Sequence, residues 1–231
     1  RMITADMEKG IFMLAPCGTV PPPTPTATPL SGMDTCWKQV ENTVPGLSPV
    51  NSVPNAVHMD EAGNIYTAFC SQSKILRINP DKTTDEPVYA GLICPEKISS
   101  YEDILLVADS AAGNVKLYNF SGSLLRIIGN SAGNVNTVKP AGIAISPDNN
   151  VYVSDSGVNK VLVYSLTGEY LSEFGSNGSL KGQFISPEDI VFNPEGNIFV
   201  LDTGNKRVQV FSPENAYLYS FNVDSGSLLS M

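Results

Sequence analysis

The side chains able to do chemistry in this chain are few, and most of them recur. Asp109, Asp155 and Asp202 each close an apolar run: Leu105-Leu106-Val107-Ala108, Val151-Tyr152-Val153-Ser154 and Phe199-Val200-Leu201. An aspartate just before a turn accepts backbone N–H bonds and fixes that turn. The same residue appearing once in each of several units is read as structural, not catalytic. The single imidazole is His58, in Ala56-Val57-His58-Met59. One histidine cannot form a His-rich metal site. A lone histidine in a strand is read as a structural residue satisfied by its neighbours. No Gly-x-Ser-x-Gly elbow and no phosphate-cradling Gly loop with lysine occurs. Gly113-Asn114 and Gly196-Asn197 are turn chemistry.

The elements that must position these residues repeat. One unit runs from Pro140 through Asn150-Val151-Tyr152-Val153-Ser154-Asp155 and Asn159-Lys160-Val161-Leu162-Val163-Tyr164 to Phe174-Gly175. The next runs from Pro187 through Gly196-Asn197-Ile198-Phe199-Val200-Leu201-Asp202 and Asn205-Lys206-Arg207-Val208-Gln209-Val210-Phe211 to Phe221. An earlier copy starts at Pro95, and a weaker one at Pro54, where Phe69 takes the place of the aspartate. Self-similarity at a period of roughly 40–50 residues means one supersecondary unit stacked several times. Each unit holds short apolar or alternating runs parted by Gly, Asn, Asp or Pro, which predicts four strands and three tight turns. Such sheets bury both faces by packing radially, so the fold class is all-β, a β-propeller of four-stranded blades with four repeats visible.

Pro-x-Gly-Ile-Ala, Gly-Asn-Ile-Tyr-Val-x-Asp, Asn-Lys/Arg-Val-x-Val-Phe and a closing Phe-Gly resemble the NHL repeat over about residues 53–223. The resemblance implies a propeller, commonly six-bladed in that family. It implies no single function, because the family spans lyases, RNA binders and extracellular scaffolds. Lyases of this wider family rely on histidines, often with a metal. In a propeller the residues after the repeat prolines begin the innermost strands: Asn55, Glu96-Lys97, Ala141-Gly142 and Glu188-Asp189. Oxygen ligands there suit Ca²⁺, but the set is uneven and Lys97 opposes a cation. No catalytic residue, cofactor or metal ligand is assigned.

Composition narrows the partners. The 231 residues carry a formal net charge of −9, with charged residues only 16%. A charge-poor acidic surface disfavours phosphate backbones, so no nucleic-acid partner is expected. No apolar run reaches membrane-spanning length. No signal peptide is visible, and a start at Arg1 suits a processed or incompletely known N-terminus. The four cysteines, Cys17, Cys36, Cys70 and Cys94, allow two disulfides in three connectivities. The expectation is that Cys17 or Cys36 is bridged, with Cys70–Cys94 as the second bond.

Residues 1–35 read as an N-terminal arm and 36–231 as the propeller. Residues 20–29 form a Pro/Thr tract, which favours extended polyproline II and matches O-glycosylated stalks at Thr24, Thr26 and Thr28. Sequons at Asn119 and Asn177 add N-glycosylation sites. The apolar run Ile11, Phe12, Met13 and Leu14 has strand length and reads either as a packing strip or as a strand donated to a neighbouring copy. These features together point to a non-enzymatic extracellular or cell-surface glycoprotein. It would be a self-assembling filament or polymer subunit whose partners are other copies of itself and covalent glycans. A monomeric protein- or glycan-binding propeller and an axial-site metal-dependent lyase or hydrolase are the alternatives.

Overall fold

In the computed structural model, residues 54–81, 89–129 and 137–223 are described in full, and Met2–Asp6, Gly10–Ala15, Lys38–Val40 and Thr84–Asp85 as strands only. The short strands β1 (Met2–Asp6), β2 (Gly10–Ala15) and β3 (Lys38–Val40) form one antiparallel sheet, with β1 beside the first blade. The first blade is β4 (Ala56–Met59), β5 (Ile65–Phe69), β6 (Lys74–Ile78) and β7 (Thr84–Asp85). The second is β8 (Pro95–Tyr101), β9 (Ile104–Asp109), β10 (Asn114–Asn119) and β11 (Leu124–Ile128). The third is β12 (Pro140–Ile145), β13 (Asn150–Asp155), β14 (Lys160–Ser165) and β15 (Tyr170–Phe174). The fourth is β16 (Pro187–Phe192), β17 (Ile198–Asp202), β18 (Arg207–Phe211) and β19 (Tyr217–Asn222). Each blade is an antiparallel meander of four strands, so the architecture is the expected four-blade propeller arrangement. Among the described residues the helical pieces are three-residue 3-10 turns, and no helix is long and apolar enough to cross a membrane.

The period-two pattern of each strand divides its side chains between two neighbouring blades. On β9, Leu105 and Val107 pack toward the first blade with Tyr66, Ala68 and Ile75. Leu106 and Ala108 pack toward the third with Ile143, Val151 and Val153. On β13 and β14, Val151, Val153, Leu162 and Tyr164 face the second blade, and Tyr152, Val161 and Val163 join Ile190, Val200 and Phe211 of the fourth. A one-residue slip in any of these strands would exchange the two sets, so register and blade packing specify each other.

The recurring aspartates are structural, as their repetition implies. Each is 0% exposed and accepts backbone N–H groups from the segment entering its own blade's innermost strand. Asp109 takes Ile93 and Cys94 at 2.9 and 2.7 Å. Asp155 takes Val138 and Lys139 at 2.6 and 3.0 Å, and also Gly157 and Val158. Asp202 takes Ile185 at 2.8 Å, together with the side chains of Asn205, Arg207 and Gln209. The first blade has no such carboxylate, since Phe69 stands there. Its anchor runs the other way, with the Cys70 N–H donating to Asn55 Oδ1 at 2.9 Å. A disulfide from Cys70 to Cys94 then ties the end of β5 to the entrance of β8. Cys17 and Cys36, and with them any second bridge, lie outside the described residues.

Two outcomes test these anchors. Asp155→Ala leaves several buried N–H groups without an acceptor and should lower stability by about 3 kcal/mol or more, read as a shift in the urea midpoint at constant m-value. Reducing Cys70–Cys94, which closes a 24-residue separation, should lower stability by about 2–4 kcal/mol, read by denaturation with and without a phosphine reductant.

Candidate functional site

The residues that line the propeller axis are placed by a repeated irregularity. In β8, β12 and β16 the ladder begins with Pro95, Pro140 and Pro187 opposite Asp109, Asp155 and Asp202. The next paired residues are Lys97, Gly142 and Asp189, so a bulge leaves Glu96, Ala141 and Glu188 out of the ladder. A bulge re-aims the side chains that follow it. Lys97 Nζ meets Asp189 Oδ2 at 2.5 Å, from the second blade to the fourth. Asp189 is 1% exposed, and its Oδ1 accepts the N–H of Ile190 at 2.9 Å. The intervening third blade contributes Gly142, where a Cβ would stand 2.6 Å from the Asp189 Cα and 2.5 Å from Ser154 Oγ. Close approach of two inner strands therefore requires glycine there.

Among the sequence-predicted axial residues, the structure brings together Lys97, Gly142 and Asp189 and sends the rest elsewhere. Asn55 anchors Cys70, and Glu188 accepts the Thr203 hydroxyl at 2.9 Å. No group of three or more His, Cys, Asp and Glu side chains is placed to hold a metal among the described residues. The Lys97 ammonium already occupies one oxygen of Asp189. These residues do not fit a divalent cation.

The inner strands β4, β8, β12 and β16 line a cleft of about 550 Å³ on the axis. His58 from the first blade reaches into it, and its Nε2 lies 2.7 Å from Ser100 Oγ of the second blade. Burial pushes the imidazole below its ordinary value of 6.5, and the nearby Lys97 charge acts in the same direction against Asp60. His58 is therefore neutral at physiological pH, able to accept a proton at one nitrogen. The contact with Ser100 gives His58 the neighbouring partner that the sequence reading expects, and places it on the wall of the cleft. No motif marks Ser100 in the sequence; the one signal of the pair there is a polar residue, His58, within an inner strand.

The other sequence-predicted positions do not converge on this cleft. Ile11, Phe12, Met13 and Leu14 lie on β2, which pairs with β1 and β3 of the same chain; their side chains lie outside the described residues. Thr24, Thr26 and Thr28 also lie outside the described residues. Asn119 Oδ1 is engaged in its own turn, accepting from Ser121 Oγ and Ser123 N at 2.8 Å each. Asn177 is exposed in the loop between β15 and β16.

The NHL repeat pattern matches residues 137–164 and 184–211. No curated protein matches the chain by sequence. Among solved structures, the chain is similar to a streptogramin B lyase at TM-score 0.62 and 16% identity, covering 82% of this chain and 59% of that one. It is similar to a catalytically inactive histidine-to-alanine variant of virginiamycin B lyase from Staphylococcus aureus with quinupristin, at 0.61 and 16%, covering 83% and 61%. A gluconolactonase from Xanthomonas campestris gives 0.61 and 18%, covering 78% and 65%. At these identities the likeness is one of fold, and the chain spans about three fifths of the length of the first two.

The expectation of a non-enzymatic self-assembling subunit is corrected by these observations. The matched folds are named lyases and gluconolactonases. The physical reason for the misreading is that the repeat pattern specifies the blades and not the chemistry of the axis, so it reads the same in an enzyme and in a scaffold.

The protonation of His58 gives a pH signature. Its folded pKa is lowered, so below about pH 6.5 the unfolded chain binds the proton before the folded one does. The stability contributed by neutral His58 is present above that value and is lost as pH falls through the window beneath it. Denaturation midpoints at pH 7.5 and 5.0 should show this loss in the parent, and a smaller one in His58→Gln.

Proposed function

With the chain carrying NHL repeats in a propeller, we propose that it is an enzyme whose axial cleft opens a small ester or lactone by general-base chemistry at His58 and Ser100. The observation that carries this reading is the 2.7 Å contact between a neutral imidazole and a hydroxyl inside the cleft. A serine hydroxyl becomes a useful nucleophile when an adjacent base takes its proton. His58 Nε2 accepts the proton as Ser100 Oγ bonds to the carbonyl carbon. The proton then passes to the departing alkoxide as the ester C–O bond breaks. Water, deprotonated by the same imidazole, releases the acyl group and restores the hydroxyl. Lys97, held by Asp189, sets a positive charge in the same cleft, which favours negative charge developing at the carbonyl oxygen. The names of the matched lyases and gluconolactonases support an enzyme of this architecture without identifying its substrate.

A second reading is favoured by the inactive histidine-to-alanine lyase among the similar structures. In it, neutral His58 removes a proton directly from the substrate, and Ser100 only orients the ring. The Cys70–Cys94 bond supports placing the protein in an oxidising compartment, extracellular or at the cell surface.

Screening a panel of chromogenic esters and lactones at pH 7.5 tests the proposal. His58→Ala should lower kcat/KM by about 10²–10⁴-fold. Ser100→Ala should do the same for acyl transfer but leave most of an elimination intact. Turnover in the parent that neither substitution changes sinks the assignment, as does no turnover of any ester, lactone or eliminable substrate.

A further inference from the structure

The walls of the axial cleft differ in chemistry. The first and second blades present His58, Lys97, Ser99, Ser100 and Tyr101, beside the aliphatic Val57 and the buried Ile98. The fourth presents only Ile190, Val191 and Phe192, and the third adds Ile143, Ala144 and Ile145, with Ser146 and Asn149 toward the ends of its strands. Ala144, Ile145, Val191 and Phe192 are half-buried, so they keep apolar surface available to a ligand. The polar pair is thus on one side of the cleft and an aliphatic and aromatic wall on the other.

Phe192 has a second neighbour. A cavity of about 240 Å³ adjoins the cleft between the third and fourth blades, and Phe192, Ser146 and Pro147 line both spaces. The Phe192 ring stands edge-on to Tyr152 at 5.0 Å and 84°, which holds it as a partition. Tyr152 is itself 7% exposed and part of the core between those blades.

We propose that the cleft takes an ester or lactone bearing an aliphatic or aromatic substituent, seated on the third and fourth blades, with Phe192 setting how long that substituent can be. This rests on the ester-opening reading for the position of the reacting group, but the apolar wall stands apart from it. A polyhydroxylated lactone would lay hydroxyls against Val191 and Phe192, where those side chains offer no hydrogen-bond partner. Each hydroxyl buried without a partner lowers affinity by roughly tenfold or more. An alkyl chain in the same place gains up to about fourfold per buried methylene.

Binding of lactams, which resist opening, separates this inference from the chemistry. The probes are 2-pyrrolidinone, its 5-ethyl, 5-butyl, 5-hexyl and 5-octyl derivatives, and gluconolactam, titrated calorimetrically into the full chain. The expected result is a Kd falling about two- to fourfold per methylene until the chain meets Phe192, then levelling. Gluconolactam should bind more weakly than the butyl lactam. Phe192→Ala, which joins the two cavities, and Phe192→Leu, which narrows the partition with less risk to folding, should both move the levelling point to longer chains. A Kd independent of chain length, absence of binding by every alkyl lactam, or tighter binding of gluconolactam overturns the substrate class. An unmoved levelling point in a folded Phe192 variant overturns the role of that residue. Chain-length dependence without ester or lactone opening leaves this inference standing and removes the catalytic one; opening without chain-length dependence does the reverse.

Discussion

A carboxylate at the end of the second strand of a blade, closed off from water, holds the backbone that leads into the first strand. Asp109, Asp155 and Asp202 are each 0% exposed, and each is surrounded by donors. Burying a charge is strongly unfavourable unless it is paired and hydrogen-bonded, so the turn has little freedom to choose another conformation. The donors that complete the shell differ from blade to blade. Asp109 adds the Lys116 ammonium, Asp155 adds two further backbone N–H groups, and Asp202 adds Asn205, Arg207 and Gln209. What is shared is the result: the start of β8, β12 and β16 is held against the end of β9, β13 and β17. The axial cleft is built from those starts.

The first blade shows what replaces the carboxylate. Asn55 caps the end of β5 from the opposite direction, and the Cys70–Cys94 bond carries the constraint across to the second blade. Cys94 donates its N–H to Asp109 while its sulfur is bonded to Cys70. Covalent and carboxylate anchors therefore meet at one residue, at the entrance of the strand that bears Lys97 and Ser100. The first and second blades are also those that supply the imidazole and the hydroxyl. The pair is contributed by two different sheets, so its 2.7 Å separation depends on blade-to-blade placement.

Packing between blades treats the cleft unevenly. The third and fourth blades approach closely at Gly142 and present aliphatic side chains to the axis, while the Lys97–Asp189 ion pair passes from the second blade to the fourth. Removing one partner of such a shielded pair leaves an uncompensated charge, which is far worse than the pair itself. The pair is thus a constraint on which strands can neighbour the axis and, through Lys97, a source of the field that helps keep His58 neutral.

The local features were legible in sequence because local physics produces them. Strand alternation, Gly-Asn turns, the once-per-unit aspartate and the NHL-like spacing all act within one repeat, and the structure places them accordingly. The Cys70–Cys94 pairing also agreed with expectation. The cleft was legible only in part. Glu96-Lys97 and Glu188-Asp189 were identified as neighbours of the axis, but the bulge after each proline decided that Lys97 and Asp189 point there and that their neighbours do not. His58 was visible as the only histidine, yet its partner Ser100 is 42 residues away, and Lys97 and Asp189 are separated by 92. Sequence alone determined the blades, since hydrogen bonding and side-chain alternation are settled within tens of residues. Only the tertiary structure decided the chemistry of the axis, because it depends on how separate sheets are rotated and spaced about a common centre, a relation that no single repeat encodes.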